Sequence, residues 1–232
     1  MTLALEGVQA SLQGAPVLTA VDITVHSGQV LALLGRNGAG KTTTLRTIMG
    51  LTQQTAGRVQ LEGRDLMAMP TWQRARLGLY LVPEDGGVFQ ELSVLENLRL
   101  SGRAQPEQVL SAFPELRPLW HRRAALLSGG ERKILALARA ALSGSRWLLI
   151  DEPSLGLAPA VLKRLGQAIR ELRAEAGVLL VEKNLRFAQS VADNYVLMQR
   201  GRTVDAGPID ALRQSPFFAQ AMSFSSGEGD SA

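Results

Sequence analysis

The segment VLALLGRNGAGKTT, residues 30–43, constrains this chain more than any other. Val30 to Leu34 is a continuous apolar run, the pattern of a strand buried on both faces. Gly35, Arg36, Asn37, Gly38, Ala39, Gly40, Lys41 and Thr42 follow in the pattern G-x-x-x-x-G-K-[ST], and residues 41–49 then read as a helix with Gly50 as its cap. Gly35, Gly38 and Gly40 let the backbone curl so that several N–H groups face one phosphate. The helix N-terminus behind them adds a positive dipole end. Lys41 supplies a charge for the β- and γ-phosphates, and the Thr42 hydroxyl can ligate Mg²⁺. Ordinary residue frequencies produce this pattern by chance in about one chain in a hundred of this length. The strand–loop–helix context lowers those odds further and points to an α/β fold.

Composition narrows the alternatives. With 232 residues the chain can bury a sizeable core, as one large domain or a core with a subdomain. It has no cysteine, which excludes disulfides and thiolate metal sites, and only two histidines, His26 and His121, which argues against a His-rich site. The net charge of +4 is too mild to select a partner. The N-terminus MTLALEGVQA carries an early acid and is not a signal peptide. The runs VLALL and WLLI fall far short of the roughly 20 residues of a spanning helix, so we expect a soluble, intracellular protein.

Along the chain, LALEGVQA, VLTAVDITV and QVLALL read as strands, and GRVQLEG (57–63) as a short strand bounded by glycines. From about 85 to 145 the apolar spacing becomes helical. SVLENL and SGGERK both carry a capping box, Ser93 with Glu96 and Ser128 with Glu131. After the second, Ile134, Leu137, Ala138, Ala141 and Leu142 fall on one helical face. Strand signals return in WLLIDEP and VLLVEK, and YVLMQRGRTVDAG reads as a hairpin turning at Arg200–Gly201. The tail, 223–232, is small and polar, with the composition of a disordered segment.

Two further stretches belong with the phosphate loop. LLIDEP (148–153) is an apolar strand ending in two acids. In a fold with such a loop, Asp151 fits the carboxylate that holds Mg²⁺ through water. Glu152 would then lie near the γ-phosphate, placed to orient or deprotonate a water. In LLSGGERK (126–133), Ser128 and Glu131 can simply cap a helix. The Ser128 hydroxyl and the Gly129 and Gly130 amides can also form a second anion cradle at that helix N-terminus. The spacing suggests two cradles for different nucleotides, each sandwiched between two subunits.

Together GRNGAGKTT, LSGGE and LLIDEP, with the helical segment between them, resemble the ATP-binding subunit of an ATP-binding cassette (ABC) transporter over about residues 3–213. The resemblance implies an α/β nucleotide-binding core with a mixed or parallel sheet, an antiparallel β subdomain and a helical insertion. Residues 1–222 would form one domain, its core at about 1–84 and 146–222 and its helical subdomain at about 85–145. The implied ligands are ATP and Mg²⁺. The implied partners are two permease subunits, a second ATPase subunit and an extracytoplasmic binding protein, with no nucleic acid. The implied place is peripheral, on the cytoplasmic face of the inner membrane.

VPE (82–84), EPSLGLAP (152–159) and LLVE-x-N (179–184) resemble the branched-chain amino-acid importers, and among them the smaller of two ATPase subunits. Urea and amide importers share this pattern, and the lipopolysaccharide-export ATPases share LSGGER. Soluble cassette proteins of translation or DNA repair usually hold two cassettes or a long coiled coil. This chain has one cassette, with about 110 residues between Lys41 and Asp151. Within the resemblance Glu84 stands where a Gln usually contacts Mg²⁺, and Ala158 where an Asp is usual. Leu12 falls at the adenine-stacking aromatic, where it offers apolar cover without a π surface. Lys183 stands at the histidine that touches the γ-phosphate. Taken alone, Lys183 reads as a solvated charge at a helix start flanked by Glu182 and Asn184. With the other motifs it reads as a contact that donates to phosphate and cannot accept from water. The base role would then fall to Glu152 alone.

Overall fold

A computed structural model of the protein describes residues 1–101 and 105–222. The expected disordered tail, 223–232, lies outside the described residues. Ten strands join in one sheet, built from β1 (Thr2–Leu12), β2 (Ala15–His26), β3 (Val30–Leu34), β4 (Gln53–Leu61), β5 (Arg64–Asp65), β6 (Leu79–Val82), β7 (Trp147–Asp151), β8 (Gly177–Glu182), β9 (Asn194–Gln199) and β10 (Arg202–Pro208). The helices are α1 (Lys41–Ile48), α2 (Thr71–Arg76), α3 (Val94–Arg99), α4 (Gly129–Leu142), α5 (Pro159–Leu172), α6 (Leu185–Val191) and α7 (Phe218–Met222), with short 3-10 turns between some of them.

The sheet order is β5-β4-β1-β2-β10-β9-β3-β8-β7-β6. Its first four strands are antiparallel, and β9, β3, β8, β7 and β6 run parallel. The two parts meet at one parallel pair, Arg202 with Ala20. Of these, β3, β7 and β8 are buried on both faces, which is why they read as unbroken apolar runs. Alternate residues of β3 serve two cores. Val30, Ala32 and Leu34 pack with α4, α5 and α6, while Leu31 and Leu33 pack with α1 and the antiparallel strands. Each fully buried Val, Ile or Leu in these layers contributes about 1.5–3 kcal/mol.

Most elements fall where the sequence places them. The hairpin between β9 and β10 turns at Arg200 and Gly201, both with positive φ (49° and 77°), as a tight two-residue turn requires. Both capping boxes form, at Ser93–Glu96 and Ser128–Glu131. The expected strand at 57–63 instead spans Gln53–Leu61. Its first residues, Gln53 and Gln54, are polar and pair with Ser11 and Ala10 on β1, so no apolar pattern marks them. Gly57 is needed where the two strands cross closely, because a Cβ there would sit 2.4 Å from the Gly7 carbonyl oxygen. The apolar face of α4 is wider than its spacing suggests, since Leu135, Ala136 and Ala140 are buried as well, while Ala141 is half-buried.

Candidate active site

The register of the parallel strands assembles the site. Leu34 at the end of β3 pairs with Glu182 at the end of β8, and Asp151 at the end of β7 pairs with Val181. The loop 35–42, the acids 151–152 and the pair 182–183 therefore leave the sheet at the same edge. Open parallel sheets bind their ligands outside these carboxyl ends.

The loop is shaped by its glycines. Gly38 and Gly40 have φ of 76° and 104°. A Cβ on Gly35 would come within 2.5 Å of the Met198 carbonyl oxygen, and one on Gly40 within 2.7 Å of Leu18. Lys41 is buried, and its Nζ donates to the carbonyl oxygens of Gly35 (2.9 Å) and Arg36 (3.1 Å). Burial pulls its pKa below the ordinary lysine value, against the opposing pull of Glu152 and Asp151. Arg36, Asn37, Gly38 and Ala39 line a 200 Å³ cavity with Met198, Gln199, Arg200 and Ala221. Thr43, the next residue on α1, is buried, and its carbonyl accepts from Thr47.

Thr42 Oγ1 donates to Asp151 Oδ1 at 3.1 Å. Burial raises the Asp151 pKa, and this hydrogen bond opposes the rise. Among the described residues no cluster of three or more His, Cys, Asp or Glu could hold a metal by itself. A hydroxyl beside one carboxylate still fits Mg²⁺, which takes one or two protein oxygens and completes its shell from phosphates and water. Glu84, brought in just beyond β6, lines a 490 Å³ cleft with Thr42, Asp151, Lys133 and Leu155.

Glu152 is the most constrained residue of the group. Its φ is +40°, a left-handed conformation that costs roughly 1–2 kcal/mol outside glycine. Its carboxylate lies between two ammonium groups, Lys183 Nζ at 2.9 Å and Lys41 Nζ at 3.8 Å. The Lys183 side chain is 39% exposed, and the hydrogen bond to Glu152 raises its pKa. Lys183 thus points into the group that carries Lys41, Asp151 and Glu152. Asn184 caps α6 by accepting from the Phe187 N–H.

Two positions stand apart. Leu12 is half-buried at the end of β1, paired with Ala15, and the cavity beside the phosphate loop is lined without it. Ser128, Gly129 and Gly130 open α4, where Ser128 Oγ accepts from the Glu131 N–H at 3.2 Å and Glu131 accepts from the Ser128 N–H at 2.7 Å. Among the described residues no hydrogen bond or ion pair joins this turn to the 35–42 loop.

Sequence reading missed the roles of two charges, one buried and one half-buried. Glu182 is fully buried and accepts from the Ser154 N–H and Oγ and from the N–H groups of Lys183 and Asn184. Lys133, on α4, donates from Nζ to the carbonyl oxygens of Glu152 (3.0 Å) and Leu155 (3.1 Å). The only signal for either was a charge at the edge of an apolar pattern, and such charges are usually solvated.

A phosphate loop, a Thr–Asp pair and a carboxylate at neighbouring strand ends define an ATP-hydrolysing cassette. The ABC transporter family profile matches residues 18–155, more than half of the chain, and the chain belongs to that family of ATP-binding subunits. It is an ATPase of the kind that works with membrane-spanning permease subunits. It is 39% identical over 205 residues to the high-affinity branched-chain amino acid transport ATP-binding protein BraG of Pseudomonas aeruginosa, covering 84% of this chain and 88% of that one. It is also 35% identical to the lipopolysaccharide export system ATP-binding protein LptB of Acidithiobacillus ferridurans, covering 88% and 89%. A solved ATP-binding subunit of an ABC transporter superposes with a TM-score of 0.81 at 29% identity, covering 92% of both chains. Among the described residues no helix is long and apolar enough to cross a membrane.

Proposed function

We propose that this chain hydrolyses ATP to drive an importer of branched-chain or other hydrophobic amino acids. It would be bound peripherally on the cytoplasmic face of the inner membrane, with two permeases, a second ATPase subunit and an extracytoplasmic binding protein. The observation that carries the chemistry is the Glu152 carboxylate between Lys41 and Lys183, one residue from the Thr42–Asp151 pair. The amino-acid reading rests on VPE, EPSLGLAP and LLVE-x-N and on the likeness to BraG. A urea or amide importer is the near alternative. The similar likeness to LptB favours lipopolysaccharide export as the second reading.

In this mechanism the amides of residues 38–41 and the Lys41 ammonium hold the β- and γ-phosphates. Thr42, Asp151 and Glu84 would hold Mg²⁺, which neutralises phosphate charge when bound. Lys183 leaves Glu152 for the γ-phosphate, since a phosphate carries more charge than one carboxylate. Glu152 then accepts a proton from the attacking water as its oxygen bonds to the γ-phosphorus and the bond to the β-phosphate oxygen breaks, giving ADP and phosphate. Leu12 would cover one face of the adenine. Ser128, Gly129 and Gly130 would cradle the γ-phosphate bound to the second ATPase subunit.

The test is to purify the chain with its membrane partners, reconstitute them in vesicles and follow ATP-dependent uptake of leucine and of urea. Leucine uptake supports the importer, and urea uptake alone shifts the substrate. Co-purification with lipopolysaccharide-export components and no uptake of either solute overturns import.

A further inference from the structure

Lys133 is a charge in this site that no step of the mechanism uses. It lies on α4, five residues after the Ser128 cap, or about 7.5 Å along the helix axis. The helix is held rigidly, with Ile134, Leu135, Leu137 and Ala138 fully or almost fully buried. From it Lys133 reaches the turn after β7, where its Nζ donates to the carbonyl oxygens of Glu152 and Leu155 at 3.0 and 3.1 Å. Burial lowers its pKa, while Glu182, Glu84 and Glu152 pull the other way.

Both carbonyls belong to a turn that needs holding. Glu152 is left-handed, a conformation that persists only where its surroundings fix it. Its N–H continues the sheet by donating to the Val181 carbonyl. Its carbonyl accepts from the Leu155 N–H at 3.3 Å within the turn and from Lys133 outside it, so Lys133 is the tie that joins this peptide to α4. A shift of the helix pulls on this carbonyl through the Lys133 side chain to the extent that its stem does not re-adjust, because hydrogen bonds weaken beyond about 3.2 Å. A catalytic group misplaced by about 1 Å can lose 100-fold in rate.

We propose that Lys133 is a positioning residue that couples the Ser128–Gly130 turn to the Glu152 base within one subunit. Engagement of that turn by the nucleotide on the second subunit moves α4, and Lys133 passes the movement to the Glu152 backbone. Each site then reaches its hydrolytic geometry only when the opposite nucleotide is in place. This rests on the proposed function, because it needs Glu152 as base and two subunits sharing their nucleotides.

The test is a double-mutant cycle in the full transporter assembly, with single-turnover ATP hydrolysis, KM for ATP and nucleotide affinity measured for wild type, K133M, E152Q and the pair. K133M should lower kcat about tenfold, leave KM and nucleotide affinity within about twofold, and leave the residual turnover of E152Q unchanged. K133R, which still donates to two carbonyls, should stay within about threefold of wild type. If K133M does not fold, K133Q takes its place in the cycle with the same expectations. A kcat within twofold of wild type overturns the coupling. An equal loss in the wild-type and E152Q backgrounds also overturns it, since that is the mark of a general structural defect. Absence of ATP hydrolysis in the wild-type assembly instead overturns the functional reading, and the coupling with it.

Discussion

Strands β7 and β8 lie side by side, run parallel and are buried throughout, and each ends at acidic residues on the same sheet edge. Their acids are used in opposite ways. Glu182, at the end of β8, is surrounded by fixed donors, three backbone N–H groups and the Ser154 hydroxyl. Glu152, just past β7, is held by the side chains of Lys41 and Lys183. A carboxylate satisfied by backbone cannot be released without unfolding the turn. One satisfied by lysines is released whenever a stronger anion draws those lysines away. In the proposed mechanism the same residue type is scaffold at one strand end and reagent at the next, and the partner decides which.

The largest expected effect breaks the comparison at its reactive end. Glu152→Gln removes the proposed proton acceptor while keeping the shape, so ATP turnover should fall at least about 100-fold with nucleotide affinity retained. Turnover within tenfold of wild type would place the base elsewhere. Glu182→Gln acts on the scaffold. A Gln amide turns an NH₂ toward donors and leaves buried N–H groups without an acceptor, which costs about 1–3 kcal/mol. Denaturant unfolding should show that loss, and an unchanged midpoint would mean that the four hydrogen bonds at Glu182 are not what holds the turn.

Lys183→Ala is smaller and directional. It frees Glu152 from a 2.9 Å ion pair but also removes the cation proposed to meet the γ-phosphate, so ATPase activity of the assembly should fall about tenfold. Unchanged turnover would mean that Lys183 only pairs with Glu152.

What the sequence made legible follows the same division. The phosphate loop could be read because its chemistry demands Gly, Lys and Thr at fixed spacing within one segment. Parallel strands could be read because burial on both faces leaves an unbroken apolar run. Lys183 could be placed by the motifs around it, and it does meet Glu152. The buried role of Glu182 and the role of Lys133 could not be read, because the Ser154 and Glu152 partners lie 28 and 19 residues away on other segments. Strand β6 is four residues long at the sheet edge and carried little pattern, yet it leads to Glu84. Leu12 was placed by register alone, and β1 carries irregularities that shift register, so its position had no local chemistry to anchor it.

The smallest effect asks how far the scaffold at β8 extends. Asn184 follows Lys183, and its side chain accepts from the Phe187 N–H at 3.1 Å to cap α6. Replacing an Asn cap by Ala costs about 1 kcal/mol of stability. If the end of β8 is scaffold up to Glu182 and resumes at Asn184, only Lys183 between them belongs to the reaction. Asn184→Ala should then lower the unfolding free energy by about that amount and leave ATP turnover within about twofold. A tenfold loss of turnover with normal stability would move Asn184 to the reactive side, and the boundary between scaffold and reagent would run through α6 rather than on both sides of one lysine.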